Sequence, residues 1–208
     1  MNPALRETVS TALTLLVFSV VGAGLLAGAY TLTRPSIAAS EQAEKLALLA
    51  QALPPRSFDN DLVASALPLA VDPLLGLKRP GQAYLARKAG QATAVVLEVA
   101  APDGYAGEIR LLVGIRADGR VSGVRVTAHR ETPGLGDYIE IAKNPWITQF
   151  DGHSLADTPA EQWKVRKDGG RFDSMAGATI TPRAIVKATR KALDYFAAHR
   201  TELLGGQP

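Results

Sequence analysis
The longest apolar stretch stands near the start of the chain. From Thr8 to Thr33 no residue carries a charge, and the stretch holds Leu13, Leu15, Leu16, Val17, Phe18, Val20, Val21, Leu25 and Leu26. It exceeds the roughly 20 residues that a helix needs to cross a hydrocarbon core, so the pattern predicts one transmembrane helix. Gly22, Ala23, Gly24, Ala27 and Gly28 suit close approach of another membrane helix. A cleaved signal peptide is the competing reading, because Ala27-Gly28-Ala29 resembles a small-residue cleavage site. The uncharged run outlasts a usual signal core, which favours a retained anchor. On either reading the remainder is exported. The amino terminus and Arg6 favour an inside N-terminus, while Arg34 opposes it.

Beyond the anchor, Ser36 to Leu53 reads as a helix with Leu46, Leu48, Leu49 and Leu53 on its apolar face, ended by Pro54-Pro55. Residues 56–80 show no clean period and predict irregular chain with one short strand. A β-rich pattern follows: Gln82 to Arg87 weakly, then Ala92 to Ala100, Glu108 to Arg116 and Val121 to Ala128. Asp118-Gly119 predicts a hairpin turn, and Pro102-Asp103-Gly104-Tyr105 another turn. Tyr138 to Phe150 predicts a short helix broken before Pro145, and Trp163-Lys164-Val165 a short strand. A last helix is expected from Pro182 to about Leu204, with Ile185, Ala188, Ala192 and Phe196 as its stripe. The fold class is therefore α+β: a membrane helix, then a compact domain with an antiparallel sheet and flanking helices. The expected divisions are 1–35, 36–80 and 81–208.

Composition removes several functions. The net charge is only +3 and no basic block or zinc-finger spacing points to nucleic acid. With Cys 0, disulfides, thiolate catalysis and cysteine-held metals are excluded, and the 3 histidines lack metal-ligand spacing. There is no G-x-S-x-G, P-loop or G-x-G-x-x-G. No catalytic residue and no resident metal are expected.

Two segments remain as candidates. Asp173-Ser174-Met175-Ala176-Gly177-Ala178-Thr179-Ile180-Thr181-Pro182 places two hydroxyls in a small-residue loop before a helix. A helix N-terminus favours a negative group, which suits a phosphate ester; the plain alternative is an N-cap. Both fit if Thr181 caps the helix and Thr179 carries the chemistry. The second segment is His129-Arg130-Glu131-Thr132-Pro133-Gly134-Leu135-Gly136-Asp137. Pro133-Gly134 suits a type II turn, and Gly136 allows close backbone approach. Leu135 is exposed there unless something flat covers it or it plugs into the core. His129 and Glu131 are either an acid–base pair or a structural contact. Trp146 and Trp163 either stack on a ring or pack in the core.

Together the two segments resemble covalent FMN-binding domains: residues 129–136 match their H-x-E-T-P-G-L-G loop, and residues 174–179 their S/T-G-A-T flavinylation motif. The order of elements, with Ile109 to Ile115 and Lys167 to Asp173, is similar to the G subunits of Rnf (Rsx) electron-transport complexes. Ala176 departs from the motif, where Ser or Thr is common. The resemblance implies that a flavin transferase, using Mg²⁺, moves FMN from FAD onto the Thr179 hydroxyl as a phosphodiester and releases AMP. It implies an isoalloxazine against Thr132, Gly134, Leu135 and Gly136, fixed with help from His129 and Glu131, and flanked by Ser174, Gly177, Ala178 and Thr181. The implied role is an electron relay within an ion-translocating oxidoreductase complex, not an independent catalyst. The implied partners are the other subunits and the bilayer. The implied place is the bacterial inner membrane, single-pass, with the FMN domain on the periplasmic side. Two alternatives stay open: the C subunit of the sodium-translocating NADH:quinone reductase, and a non-redox anchored interaction module.

Overall fold
The computed structural model describes residues 3–206. Met1, Asn2, Gln207 and Pro208 lie outside the described residues, and with them the outer ends of the expected anchor and FMN-binding domain. The chain divides into two compact units, Met1–Lys45 and Leu46–Pro208.

Helix α1 spans Pro3–Gln51 and contains Pro35. The sequence pattern starts a new helix at Ser36, but the structure continues one helix across the proline. A proline inside a helix removes one backbone donor and crowds the preceding turn, a cost of about 3 kcal/mol. The turns on either side carry the helix across it. From Arg6 this helix is long and apolar enough to cross a membrane, and its most apolar window is unburied by protein. Its threonines do not leave hydroxyls unpaired. Thr14 donates to the Ser10 carbonyl, Thr31 to Gly28 and Thr33 to Ala29. Such back-bonding satisfies polar side chains where water is absent.

The second unit is built on a five-stranded antiparallel meander, in the order β1 to β5. Strand β1 is Ala66–Leu69, β2 Gly81–Lys88, β3 Gln91–Gly104, β4 Gly107–Arg116 and β5 Val121–Ala128. The period of two in the sequence sorts side chains to the two faces. Val95, Leu97 and Val99 on β3, Ile109, Leu111, Val113 and Ile115 on β4, and Val121, Val124 and Val126 on β5 enter the main core. Ala94, Val96 and Leu112 enter a second, smaller core on the opposite face. Helix α2, Ile180–Leu203, covers the main face and buries Ala184, Ile185, Ala188, Ala192, Leu193 and Phe196 there.

The second core is closed by the end of α1. Leu49, Ala52 and Leu53 pack on Tyr84, Ala86, Ala94, Val96 and Leu112. Gly114 on β4 and Gly123 on β5 are cross-strand partners, and together they leave a notch. The Ala52 backbone fills it, and a Cβ on Gly114 would overlap the Ala52 carbonyl oxygen. The last carbonyls of α1, which have no partner within the helix, accept from β5. Ser122 Oγ donates to Ala52 O at 2.7 Å, and Arg125 Nη2 to Gln51 O at 2.8 Å.

Three predicted elements take other forms. The turn expected at 102–105 moves outward, because β3 runs on to Gly104 and the tip is Tyr105-Ala106. The helix expected over 138–150 is two 3₁₀ turns, Asp137–Ile139 and Pro145–Phe150, since no continuous apolar stripe supports a longer one. The strand expected at 163–165 is a single bridge between Val165 and Phe172.

The notch gives a direct test. Gly114→Ala in the detergent-solubilised full chain should lower stability by about 1–3 kcal/mol, the usual cost of overpacking, read as a lower thermal midpoint. An unchanged midpoint would show that the end of α1 does not need the notch.

Candidate functional site
The loop after β5 is shaped by its own backbone. Thr132 O accepts the amides of Leu135 at 3.1 Å and Gly136 at 2.9 Å. Gly134 sits at φ +75°, which a side chain would disfavour. The Asp137 carboxylate accepts the Gly134 amide at 2.8 Å through Oδ1 and the Lys143 ammonium at 2.9 Å through Oδ2. The lysine bond, followed by the Gly134 amide, holds the Asp137 carboxyl below the ordinary range.

Glu131 and His129 do not form a side-chain acid–base pair. Glu131 is buried and turns inward. Its Oε2 accepts the Thr181 hydroxyl at 2.7 Å, and its Oε1 accepts the Ala106 amide at 3.2 Å. Gly136 lies against it, and a Cβ there would come within 3.0 Å of Glu131 Cβ. His129, largely buried, bonds elsewhere: Nδ1 accepts the Glu131 amide at 3.0 Å, and Nε2 lies 2.7 Å from Glu140 Oε1. In the neutral ring that pattern places the proton on Nε2. Glu140 also takes Lys143 at 2.7 Å. Burial pushes the Glu140 carboxyl up, but the bonds from Lys143 and His129 outweigh it and hold it low.

The acceptor segment is fastened at both ends. The Asp173 amide donates to Gln149 Oε1 at 2.7 Å, and Trp146 Nε1 donates to Asp173 O at 2.8 Å. The Met175 amide donates to the Tyr138 hydroxyl at 3.4 Å, which donates in turn to Ala178 O at 3.3 Å. A turn closes between them, with the Ala178 amide on Met175 O at 3.2 Å and Gly177 at φ +84°. Ser174 and Ala178 are half-buried and Ala176 is exposed. Trp146 stands edge-on to Tyr138 and to Phe150. Trp163 is buried in the core beside Phe172. Neither tryptophan lines the cleft that these segments form.

Helix α2 begins earlier than its proline suggests. Thr179, not Thr181, occupies the N-cap, and its side chain makes no capping bond. Thr181 lies inside the first turn and is buried, because its hydroxyl serves Glu131 instead. The Thr179 hydroxyl is half-exposed and has no hydrogen-bond partner among the described residues. The Ile180 and Thr181 amides are likewise unpaired there, as expected at a helix start. No carboxylate or imidazole bonds to the Thr179 hydroxyl among the described residues.

These parts meet at a cleft of about 130 Å³ lined by Glu131, Thr132, Leu135, Gly136, Gly177, Ala178, Thr179, Ile180, Thr181 and Tyr105. That is below the roughly 300–1,000 Å³ of pockets that enclose a small molecule, so the cleft is a shelf. Leu135, 48% exposed, stands on it rather than plugging the core. An unpartnered hydroxyl, free amides at the positive end of a helix, and an apolar shelf make a chemically consistent seat for a phosphate ester carrying a flat ring. The residues present therefore fit FMN. Of the residues that the sequence motifs single out, Glu131, Thr132, Leu135, Gly136, Gly177, Ala178, Thr179 and Thr181 line the cleft. Gly134 shapes the loop from within, and His129 and Ser174 are not among the residues that line the cleft. The motifs do not point to Tyr105, nor to the supporting roles of Asp137, Tyr138, Trp146 and Gln149. The signal for Tyr105 is an aromatic residue flanked by Gly104 and Gly107 at a hairpin tip.

Known proteins resemble this chain in sequence. The FMN-binding domain family matches residues 104–194, and the RnfG N-terminal region matches residues 1–52. The G subunit of the ion-translocating oxidoreductase complex of Pseudomonas aeruginosa is 52% identical over 199 residues, covering 96% of this chain and 93% of that one. Its namesake in Vibrio cholerae is 49% identical over 191 residues, covering 92% and 91%. The one in Shewanella oneidensis is 44% identical over 202 residues, covering 97% and 93%. The crystal structure of Shewanella oneidensis NqrC is a more distant likeness, with a TM-score of 0.49, 21% identity, and coverage of 70% and 74%.

Two outcomes follow from the geometry. Glu131→Ala should cost about 1–3 kcal/mol by leaving the buried Thr181 hydroxyl unpaired. A thermal-melt cycle with Thr181→Val should show coupling of about 0.5–3 kcal/mol, and additive effects would break the link between the two residues. The second concerns pH. The Asp137 and Glu140 carboxyls are depressed in the fold, so their contribution is present above the unfolded values near 4 and is lost as pH falls below them. Amide exchange at Gly134, corrected for its intrinsic pH dependence, should therefore lose protection below about pH 4. Asp137→Asn should lose part of that protection at neutral pH.

Proposed function
The chain belongs to the family of G subunits of ion-translocating oxidoreductase complexes, and we propose that its FMN is joined by a phosphodiester to the Thr179 hydroxyl. It is an electron-carrying subunit of such a complex, with an FMN-binding domain and one N-terminal helix able to span a membrane. Relatives named as the G subunit favour this family over the C subunit of the sodium-translocating NADH:quinone reductase. The FMN-binding domain weighs against an interaction module without a cofactor.

The observation that carries the covalent reading is the Thr179 hydroxyl itself. It is half-exposed and unpartnered, at the positive end of α2 and on the rim of an apolar shelf. Bound FMN supplies one- and two-electron transfer, and so can join carriers of both kinds. The rest is the work of this chain. Thr179 tethers the phosphate, and the Ile180 and Thr181 amides face its remaining negative charge. Thr132, Gly134, Leu135 and Gly136 provide one wall; Gly177 and Ala178 leave room beside the tether. Glu131 and His129 hold those walls rather than exchange protons. Trp146, Gln149 and Tyr138 fix the backbone leading to Thr179.

A separate flavin transferase performs the attachment in this reading, in keeping with a Thr179 hydroxyl to which no carboxylate or imidazole bonds among the described residues. The threonine oxygen displaces AMP at the FMN phosphorus of FAD, and the hydroxyl proton goes to the transferase. Residues 1–35 act as the anchor and 81–208 carry the FMN-binding domain, while the connecting region 36–80 is drawn into that domain's packing through Leu49, Ala52, Leu53 and strand β1. The domain faces the periplasm in this reading, which the amino terminus and Arg6 favour and Arg34 opposes.

Co-expression with a flavin transferase tests the attachment. The denatured full chain should gain the mass of one FMN less one water and fluoresce as a flavin, with the label on the Thr179 peptide. Thr179→Ala should abolish the label and leave the thermal midpoint within about 0.5 kcal/mol equivalent. A label that survives Thr179→Ala moves the acceptor elsewhere. An unmodified wild-type chain beside an active transferase removes the covalent reading.

A further inference from the structure
We infer that Tyr105 is a second wall of the flavin site, a binding residue whose ring packs on the isoalloxazine. This rests on the reading that FMN is tethered at Thr179. Tyr105 lines the cleft from an element unrelated to either sequence motif, the tip of the β3–β4 hairpin. Its side chain is 68% exposed, and its hydroxyl has no hydrogen-bond partner among the described residues. A large ring that exposed adds little to the packing of the fold.

The tip is not loosely placed. The neighbouring Ala106 amide donates to Glu131 Oε1, and the other oxygen of the same carboxylate takes Thr181, two residues past the tether. One buried group therefore fixes both the hairpin that carries Tyr105 and the helix start that carries Thr179. The remaining cleft wall is aliphatic, from Leu135 and Ile180, each about half exposed. An aromatic ring on one element and aliphatic groups on two others, around a shelf too small to enclose a ligand, suit a flat ring system held by its faces. Offset packing of two π systems adds to the area buried.

Flavin emission reports this contact independently of electron transfer through the complex. A tyrosine touching an excited flavin quenches it by giving up an electron that returns on recombination, with no net chemistry. The experiment is the fluorescence lifetime of the transferase-loaded full chain in detergent. Wild type should be strongly quenched. Tyr105→Leu should lengthen the lifetime severalfold at unchanged labelling, and Tyr105→Trp should keep it short. Equal lifetimes in wild type and Tyr105→Leu would overturn the inference while leaving the tether standing. If Tyr105→Leu is not labelled, Tyr105→Trp decides alone: a lifetime as short as wild type or shorter supports contact, and a longer one refutes it. An unlabelled wild-type chain would instead be a failure of the FMN reading itself.

Discussion
The site depends on one buried carboxylate. Glu131 accepts from Thr181 on α2 and from Ala106 on the β3–β4 hairpin, while its own amide leans on His129. A buried carboxylate left without donors is costly, so the three segments that supply and frame them are held together. The loop containing Leu135 is laid directly over this group, because Gly136 has no side chain to keep it away. Hairpin tip, loop and helix start are distant in sequence. Their common anchor makes them one surface.

This arrangement separates support from contact. Glu131, His129, Asp137, Glu140 and Lys143 form a chain of charged and polar bonds behind the loop. The cleft itself shows mostly small or apolar groups, and the hydroxyls of Thr179, Thr132 and Tyr105 on its lining have no hydrogen-bond partner among the described residues. Such a division suits a tethered redox group, whose protein surroundings place the ring and set its electrostatics without donating or accepting substrate protons. It also gives the motif glutamate a supporting role, since Glu131 lines the cleft and bonds to Thr181 and Ala106.

The sheet was legible because alternation records burial directly: Val95, Leu97 and Val99 go to one face and Ala94 and Val96 to the other. The α2 stripe was legible for the same reason, at a helical period. Position 181 was misread because Thr-Pro resembles a cap and first helical residue. The competing demand came from Glu131, 50 residues away, and no local pattern carries it. The outward hydroxyl of Thr179 is the reciprocal of that choice. Tyr138, Trp146 and Gln149 were unreadable for a related reason: their polar tips serve backbone atoms of a remote loop, and short 3₁₀ turns have no period to betray them. The motif residues were found through resemblance, whereas the division of labour among them needed coordinates.

The glycine notch on the outer face has a consequence for how the domain can be separated from its anchor. Leu49, Ala52 and Leu53 are the lid of a hydrophobic compartment whose floor is Tyr84, Ala86, Val96 and Leu112. A fragment beginning after Leu53 would expose that floor along the middle strands of the sheet and strip Ser122 and Arg125 of their carbonyl acceptors. A water-soluble version of this domain must therefore keep the chain from about Leu46 onward, well inside the helix that begins at the membrane end.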